Sequence, residues 1–332
     1  VNDESHGRSA VLPRSGHPGP VPAVRQVRVG APAKINLTLR VAARGGDGFH
    51  RLSTVFHAVS LGDVLHLTDQ PGRISVTTRG EHARHVADDA TNLAVRAAAA
   101  VRDRLGAPGL GAHIEIDKDI PVAGGMAGGS ADGAAALVGA ARLWGLDVGD
   151  EELFDLAAGL GSDMPFSLLG GTALGTGRGE RLEPLECGSP LHWVLAAARH
   201  GLSTPTVYGR FDERVAAGTS VPMGADHTRP TELIDALARG DAETVAAWLV
   251  NDLQPAALDL YPGLAGTLAA GRDAGALAGL VSGSGPTCVF LCADRPAAQQ
   301  VADALGSAPE VSVVRTATGA APGALVSCQA TT

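Results

Sequence analysis

Three groups of residues in this 332-residue chain carry side chains or backbone suited to chemistry. Lys34 and Asn36 stand two apart in an alternating run. Asp163 lies in a tight turn, Gly161-Ser162-Asp163-Met164-Pro165-Phe166. Between them runs Pro121-Val122-Ala123-Gly124-Gly125-Met126-Ala127-Gly128-Gly129-Ser130, followed by an alanine-rich segment. A glycine-dense turn lets backbone N–H groups approach a ligand, because no Cβ is in the way. Where a helix begins at the end of the turn, its first N–H groups lack internal partners, and the macrodipole adds positive charge. Together these make an anion site, most often for a nucleotide phosphate.

The loop is neither of two common phosphate motifs. A P-loop ends in Gly-Lys-Ser/Thr, whereas Gly129 is followed by Ser130 and Ala131. The dinucleotide fingerprint follows a buried strand, whereas this loop follows the charged turn Asp117-Lys118-Asp119. Taken alone, the other residues also allow blander roles. Lys34 and Asn36 fit a solvated strand face, Asn92 a helix cap and Asp163 an Asx turn.

These groups need elements to hold them. Ile35, Leu37, Leu39 and Val41 alternate with Asn36, Thr38 and Arg40, the pattern of a strand. Val27–Val29, Ser53–Leu61, Val64–Leu67, Ile74–Thr78 and His113–Ile116 read as further strands, and short connections make the start antiparallel. Helices are expected over Leu93–Leu105, Ala131–Trp144 and Glu151–Leu160, the last capped by Asp150. Ala173–Gly179 reads as a strand and turn, and the pattern resets near Cys187. Beyond it come the strand Trp193–Ala198 and a helix begun by Ser203–Tyr208. Helices over Thr231–Ala238, Asp241–Val250 and Leu264–Ala274 precede the strands Ala278–Ser282 and Cys288–Cys292. A helix over Ala297–Leu305 and a strand over Val311–Thr316 complete the order, that of an α+β, ferredoxin-like unit with extra helices. The division is a polar extension over 1–23, a first domain over 24–187, a second over 188–320 and a flexible tail over 321–332.

Composition narrows the class. Hydrophobic residues make up 45% and charged residues 18% of the chain, a globular balance. The net charge of −9 argues against a nucleic-acid partner. No apolar run is long enough to span a membrane. Cys187, Cys288, Cys292 and Cys328 show no zinc spacing and read as thiols in a reducing, cytoplasmic setting.

The loop Pro121–Ser130 with Ala131-Asp132-Gly133 resembles the phosphate loop of the GHMP kinases. Pro32-Ala33-Lys34-Ile35-Asn36-Leu37, Gly48-Phe49-His50, Gly161–Phe166 and Ser282-Gly283-Ser284-Gly285-Pro286-Thr287 are similar to one branch, the 4-diphosphocytidyl-2-C-methyl-D-erythritol kinases. The matches keep the family's order from about residue 31 to 290. The resemblance implies a first domain like domain 2 of ribosomal protein S5, a ferredoxin-like second domain and a cleft between them. It implies transfer of phosphate from ATP, with Mg²⁺, to the 2-hydroxyl of the cytidyl acceptor. This is a step of the non-mevalonate route to isopentenyl diphosphate.

By the same resemblance, Asp163 is the base and Lys34 steadies the developing alkoxide. ATP contacts come from Asn92, Pro121 and Ala123 through Ser130, and Ser130 also offers a phosphate or Mg²⁺ contact. Asn36, Phe49, His50, Gly283 and Ser284 face the acceptor. Phe49 and His50 stack on and read cytosine, and Tyr208, or else Phe211, supplies the second aromatic face. Gly133 departs from the family's usual alanine. The partner is a small molecule, with no nucleic acid or membrane, and the chain is a monomer or weak homodimer. The alternatives are another GHMP kinase acting on homoserine or mevalonate, and a non-catalytic module for nucleotide or RNA.

Overall fold

A computed structural model describes residues 25–224 and 229–327 of the chain, so the expected extension over 1–23 lies outside the described residues. The first half begins with a long antiparallel pair, β1 (Gln26–Arg44) and β2 (His50–Asp69). The order continues with β3 (Ile74–Arg79), α1 (Leu93–Arg104), β4 (Ala112–Asp117) and α2 (Gly128–Leu143). Next come α3 (Asp150–Leu160), α4 (Met164–Leu169), β5 (Thr172–Gly177) and β6 (Arg181–Leu185). The second half contains β7 (Leu191–Ala198), α5 (Thr204–Ala216), α6 (Thr231–Arg239), α7 (Ala242–Trp248) and β8 (Val250–Asn251). After these follow α8 (Gln254–Leu260), α9 (Gly263–Asp273), β9 (Ala278–Val281), β10 (Cys288–Cys292), α10 (Arg295–Leu305), β11 (Val311–Gly319) and β12 (Leu325–Ser327).

Two sheets result. The larger has eight strands: the path β12-β1-β2-β4-β3, β5 on β2, β6 on β5, and β8 beside β1. The smaller has four antiparallel strands in the order β11-β7-β10-β9. Counted along the chain these lie 4-1-3-2, the order of a ferredoxin-like sheet. Antiparallel pairs predominate, with β3–β4 and β1–β8 parallel, so the class is α+β.

Several expectations change. The runs expected as separate strands in 27–41 and 53–67 are two continuous strands. Register shifts at Pro32/Ala33, Asn36/Thr38 and Val41/Arg44 let each strand bend without breaking. The bend also divides the apolar face of β1. Ile35 and Leu37 enter the core under the large sheet, and Leu39 and Val41 enter the core of the smaller one. The helix after the glycine loop starts at Gly128, three residues earlier than expected, because Ala127 takes the left-handed conformation and ends the loop. The cap of α3 is Gly149, and Asp150 is its first residue, placing a carboxylate at the positive end of the helix. Helices α4 and α8 went unread. Residues 321–327 are not a tail, because β12 pairs with the edge of β1; residues 328–332 lie outside the described part.

The sheets meet at His57. This ring is fully buried in β2, its Nδ1 2.8 Å from Thr172 Oγ1 and its Nε2 without a partner. A Cβ on Gly319 of β11 would stand 2.0 Å from Nε2, so backbone lies directly on the ring. Burial pushes the His57 pKa down from 6.5 to about 3. The unfolded chain protonates this ring below about pH 6.5 and the folded chain does not, so its contribution is complete above that pH and lost below it. The loss should approach about 1.4 kcal/mol per pH unit. Urea unfolding between about pH 6 and 4.5 should show a shallower acid slope for His57→Asn than for the native chain. Parallel slopes would remove His57 from this role.

Candidate active site

The glycine loop, β1, the turn before α4 and the second half of the chain enclose a cavity of about 460 Å³. The loop forms one wall because its backbone takes conformations that most residues avoid. Gly125 has φ of +76°, and a Cβ there would lie 2.2 Å from the Ser282 carbonyl oxygen. Ala123 and Ala127 also have positive φ, a strain of about 1–3 kcal/mol each. The second glycine turn locks against the first. Ser282 Oγ donates to Gly125 O at 3.2 Å, and a Cβ on Gly283 (φ +56°) would stand 3.1 Å from that same oxygen. Asn251 holds this turn by donating from Nδ2 to Val281 O and Gly283 O, both at 2.7 Å.

Lys34 and Asn36 are not on a solvated face. They are 6% and 2% exposed, and both line the cavity. Lys34 Nζ donates to Asn36 Oδ1 at 2.8 Å, and Asn36 Nδ2 donates to Thr54 Oγ1 at 2.8 Å. Asn36 is therefore held with its amide orientation set by two partners. Lys34 Nζ lies 3.7 Å from Asp163 Oδ2 and 5.2 Å from the centre of the Phe56 ring. Asp163 precedes α4, where its carbonyl accepts from Ser167 N at 3.1 Å, so the turn is fixed by backbone while the carboxylate stays free of capping.

Pro121, Ala123, Gly124, Gly125, Ala127, Gly128 and Gly129 line the cavity, as do Asn92, Tyr208, Gly283 and Ser284. Met126 does not; its side chain is buried in the core while its carbonyl accepts from Lys34 N at 3.2 Å. Ser130 is not among the lining residues either; it lies on the first turn of α2, with Oγ 4.0 Å from where a Cβ would stand on Gly161. Asn92 spends its amide on structure, accepting from Ala94 N at 2.9 Å and donating to Ala87 O at 2.8 Å. Gly133 has a packing reason. A Cβ there would come within 2.8 Å of Met164 Cε, beside Asp163.

Phe49 and His50 open on a neighbouring pocket of about 310 Å³ with Arg178. The His50 ring lies 4.9 Å from that of Tyr208, and Nε2 is 2.7 Å from Asp212 Oδ1, one turn further along α5. Phe49 is 52% exposed, and the Arg178 guanidinium covers one face of its ring at 3.7 Å. Phe211 is fully buried in the smaller core, which leaves Tyr208 as the aromatic of α5 that reaches the cavity. Burial and then the negative charge of Asp163 push the Tyr208 phenol up, so it stays neutral.

Sequence reasoning missed a buried cluster under the loop. Lys118 Nζ donates to Asp63 Oδ2 at 2.5 Å and to Asp132 Oδ2 at 2.6 Å. Asp63 Oδ1 accepts from Asp119 N and Ile120 N at 2.7 and 2.8 Å, whereas Asp132 Oδ1 has no partner. Burial, and then Asp63, raise the Asp132 pKa against the pull of Lys118. Burial opposes the Lys118 charge, but Asp132 and Asp63 outweigh it and raise its pKa. The cluster ties β2, the strand end before the loop and α2 together. Asp63 and Lys118 are 55 residues apart, so no local signal joined them. Asp212 was within reach, being four residues from Tyr208 on a helix.

Among the described residues, burial pushes Cys288 up to about 12, and burial with Asp294 pushes Cys292 up to about 11, so both thiols are inert. No described helix is long and apolar enough to cross a membrane.

Comparison with known proteins locates this arrangement. Residues 92–171 match the family model described as GHMP kinases N terminal domain, and residues 233–310 match GHMP kinases C terminal. A Streptomyces coelicolor protein named 4-diphosphocytidyl-2-C-methyl-D-erythritol kinase is 54% identical over 301 residues, covering 90% of this chain and 99% of that protein. A crystal structure of 4-(cytidine 5'-diphospho)-2C-methyl-D-erythritol kinase superposes with a TM-score of 0.68 at 33% identity, over 88% of this chain and 98% of the other. A homoserine kinase from Cytophaga hutchinsonii superposes with a TM-score of 0.70 at 20% identity, over 91% and 98% of the two chains. Backbone shape is thus common to kinases with different acceptors, and identity separates them.

Proposed function

The chain belongs to the 4-diphosphocytidyl-2-C-methyl-D-erythritol kinases of the GHMP kinase superfamily, and from that premise we propose how its cleft transfers phosphate from ATP to the 2-hydroxyl of the cytidyl acceptor. The observation that carries the proposal is the Lys34–Asp163 pair, 3.7 Å apart on the wall of the cavity that the glycine loop also lines.

Phosphoryl transfer depends on positioning and charge neutralisation. The free N–H groups at the start of α2, with those of Gly124 and Gly125, hold the ATP phosphates. Asp163 accepts the proton of the 2-hydroxyl as its oxygen attacks the γ-phosphorus, and ADP departs. Lys34 steadies the negative charge on the attacking oxygen. Asn36, with its amide fixed by Lys34 and Thr54, orients the acceptor. Mg²⁺ prefers oxygen ligands and keeps several waters beside one or two carboxylates and the phosphates. The Ser130 hydroxyl is an oxygen donor of that kind. When bound, the ion neutralises charge on the transferred group.

The acceptor's other end extends towards His50 and Tyr208. Cytosine needs a flat apolar face and a partner for its edge. Tyr208 supplies a face, and His50, steered by Asp212, reads the edge. Phe49 supplies the second face once Arg178 moves off it or from the side Arg178 leaves uncovered. Homoserine and mevalonate have no base to stack. Release of ADP from ATP should therefore be rapid with the diphosphocytidyl acceptor and at background with homoserine or mevalonate. Comparable rates on all three would remove the cytidine reading while leaving a GHMP kinase.

A further inference from the structure

Behind the glycine loop lies a second groove of about 450 Å³ that the transfer chemistry does not use. The turn Ala83–His85 and its approach form one side, and the ends of β7 and β11 form the other. Pro121–Gly124 lines both this groove and the main cavity, so four residues of the loop form a shared wall. The charge on the groove is one-sided. Two guanidinium groups, Arg84 and Arg199, line it against a single carboxylate, Glu81, and the imidazoles of His82, His85 and His200 complete the polar lining, with Arg84 Nε donating to His85 Nε2 at 2.9 Å. Glu81 is already engaged, 3.4 Å from Arg315. Two buried polar atoms of the lining have no partner: Thr287 Oγ1, on a residue 0% exposed, and His82 Nε2. Unsatisfied buried polar groups are uncommon and call for a ligand or water. Thr287 also abuts the loop, since a Cβ on Gly124 would stand 2.9 Å from its Oγ1.

We propose that this groove is a second anion site, distinct from the ATP site, that takes a small phosphorylated or diphosphorylated molecule. The guanidinium groups of Arg84 and Arg199 supply the charge, as arginine commonly does for phosphate. Beneath them, His82 Nε2 and Thr287 Oγ1 are polar atoms without partners, so the floor of the groove is polar and not apolar. A polyanion held there faces the ATP phosphates across one layer of backbone. Like charges on opposite sides of that layer weaken each other's binding, and the effect is reciprocal. The site therefore lowers affinity for ATP without blocking it.

Inorganic diphosphate is the probe, added to the full-length enzyme at constant free Mg²⁺ with the cytidyl acceptor saturating. The apparent KM for ATP should rise with diphosphate and then level off, because linkage saturates whereas competition does not. Arg84→Ala/Arg199→Ala should keep the uninhibited kcat and KM and need at least about tenfold more diphosphate for the same rise. Arg84→Glu, an exposed single substitution that spares the Arg199 contact to Pro309 O, should do the same. No rise in the native enzyme would overturn the proposal. So would a rise that stays linear in diphosphate and survives both variants, since that places the anion on the glycine loop itself.

Discussion

Replacing Asp163 by asparagine should lower turnover by about 10²–10⁴, the range for loss of a general base, with little change in the KM for ATP. The argument rests on placement. The carboxylate lines the same cavity as the loop, accepts no hydrogen bond from the loop's N–H groups, and pairs with Lys34 at 3.7 Å. Its backbone, not its carboxylate, starts α4, so the amide should keep the turn and the fold intact. Fold retention is checked by an unchanged urea midpoint. The rate loss should appear in single-turnover measurements, where product release does not intervene. A variant with near-native single-turnover rate would remove Asp163 from proton transfer and reduce it to a partner of Lys34.

Lys118→Met should destabilise the chain by about 3–5 kcal/mol, the cost of leaving buried charge uncompensated. Lys118 sits between two carboxylates whose side chains are 0% and 4% exposed. Removing the ammonium leaves Asp63 and Asp132 facing each other with little access to solvent. The deficit should shrink as pH falls, because protonating either carboxylate relieves the repulsion. Adding Asp132→Asn to Lys118→Met should recover part of the loss for the same reason. A midpoint shift in urea equivalent to less than about 1 kcal/mol, or one independent of pH, would contradict the cluster's role as a brace. Because the cluster fixes the approach to the loop, a folded Lys118→Met should also bind ATP more weakly.

How far the sequence alone reached follows from the range of each interaction. The alternation over Ile35–Val41 is local, so β1 and the shared face of Lys34 and Asn36 were legible. Their burial was not, because what covers them, the glycine turn at Gly283, lies some 250 residues away in the numbering. The loop was legible as an anion site from its glycines. The start of α2 was not, since Gly128 and Gly129 are poor helix formers that only tertiary packing makes helical.

Two short helices were missed although each carries a readable signal. Met164-Pro165 and Gln254-Pro255 place proline in the first turn, where its missing N–H costs nothing. β12 was misread as tail because three residues have no pattern of their own; the free edge of β1 gives them structure. The Lys118 cluster is the largest omission. Its members come from β2, the end of β4 and α2, and burial turned what read as a charged turn into an internal ion cluster.

The most direct test of the central claim is ³¹P NMR of the native enzyme's product from ATP and 4-diphosphocytidyl-2-C-methyl-D-erythritol. If the glycine loop presents the γ-phosphate to the hydroxyl beside Asp163 and Lys34, one new monoester signal should grow in step with ADP. Carbon-13 coupling should place that ester on the 2-oxygen. ADP formed with no new ester, or an ester on another hydroxyl, would contradict the account.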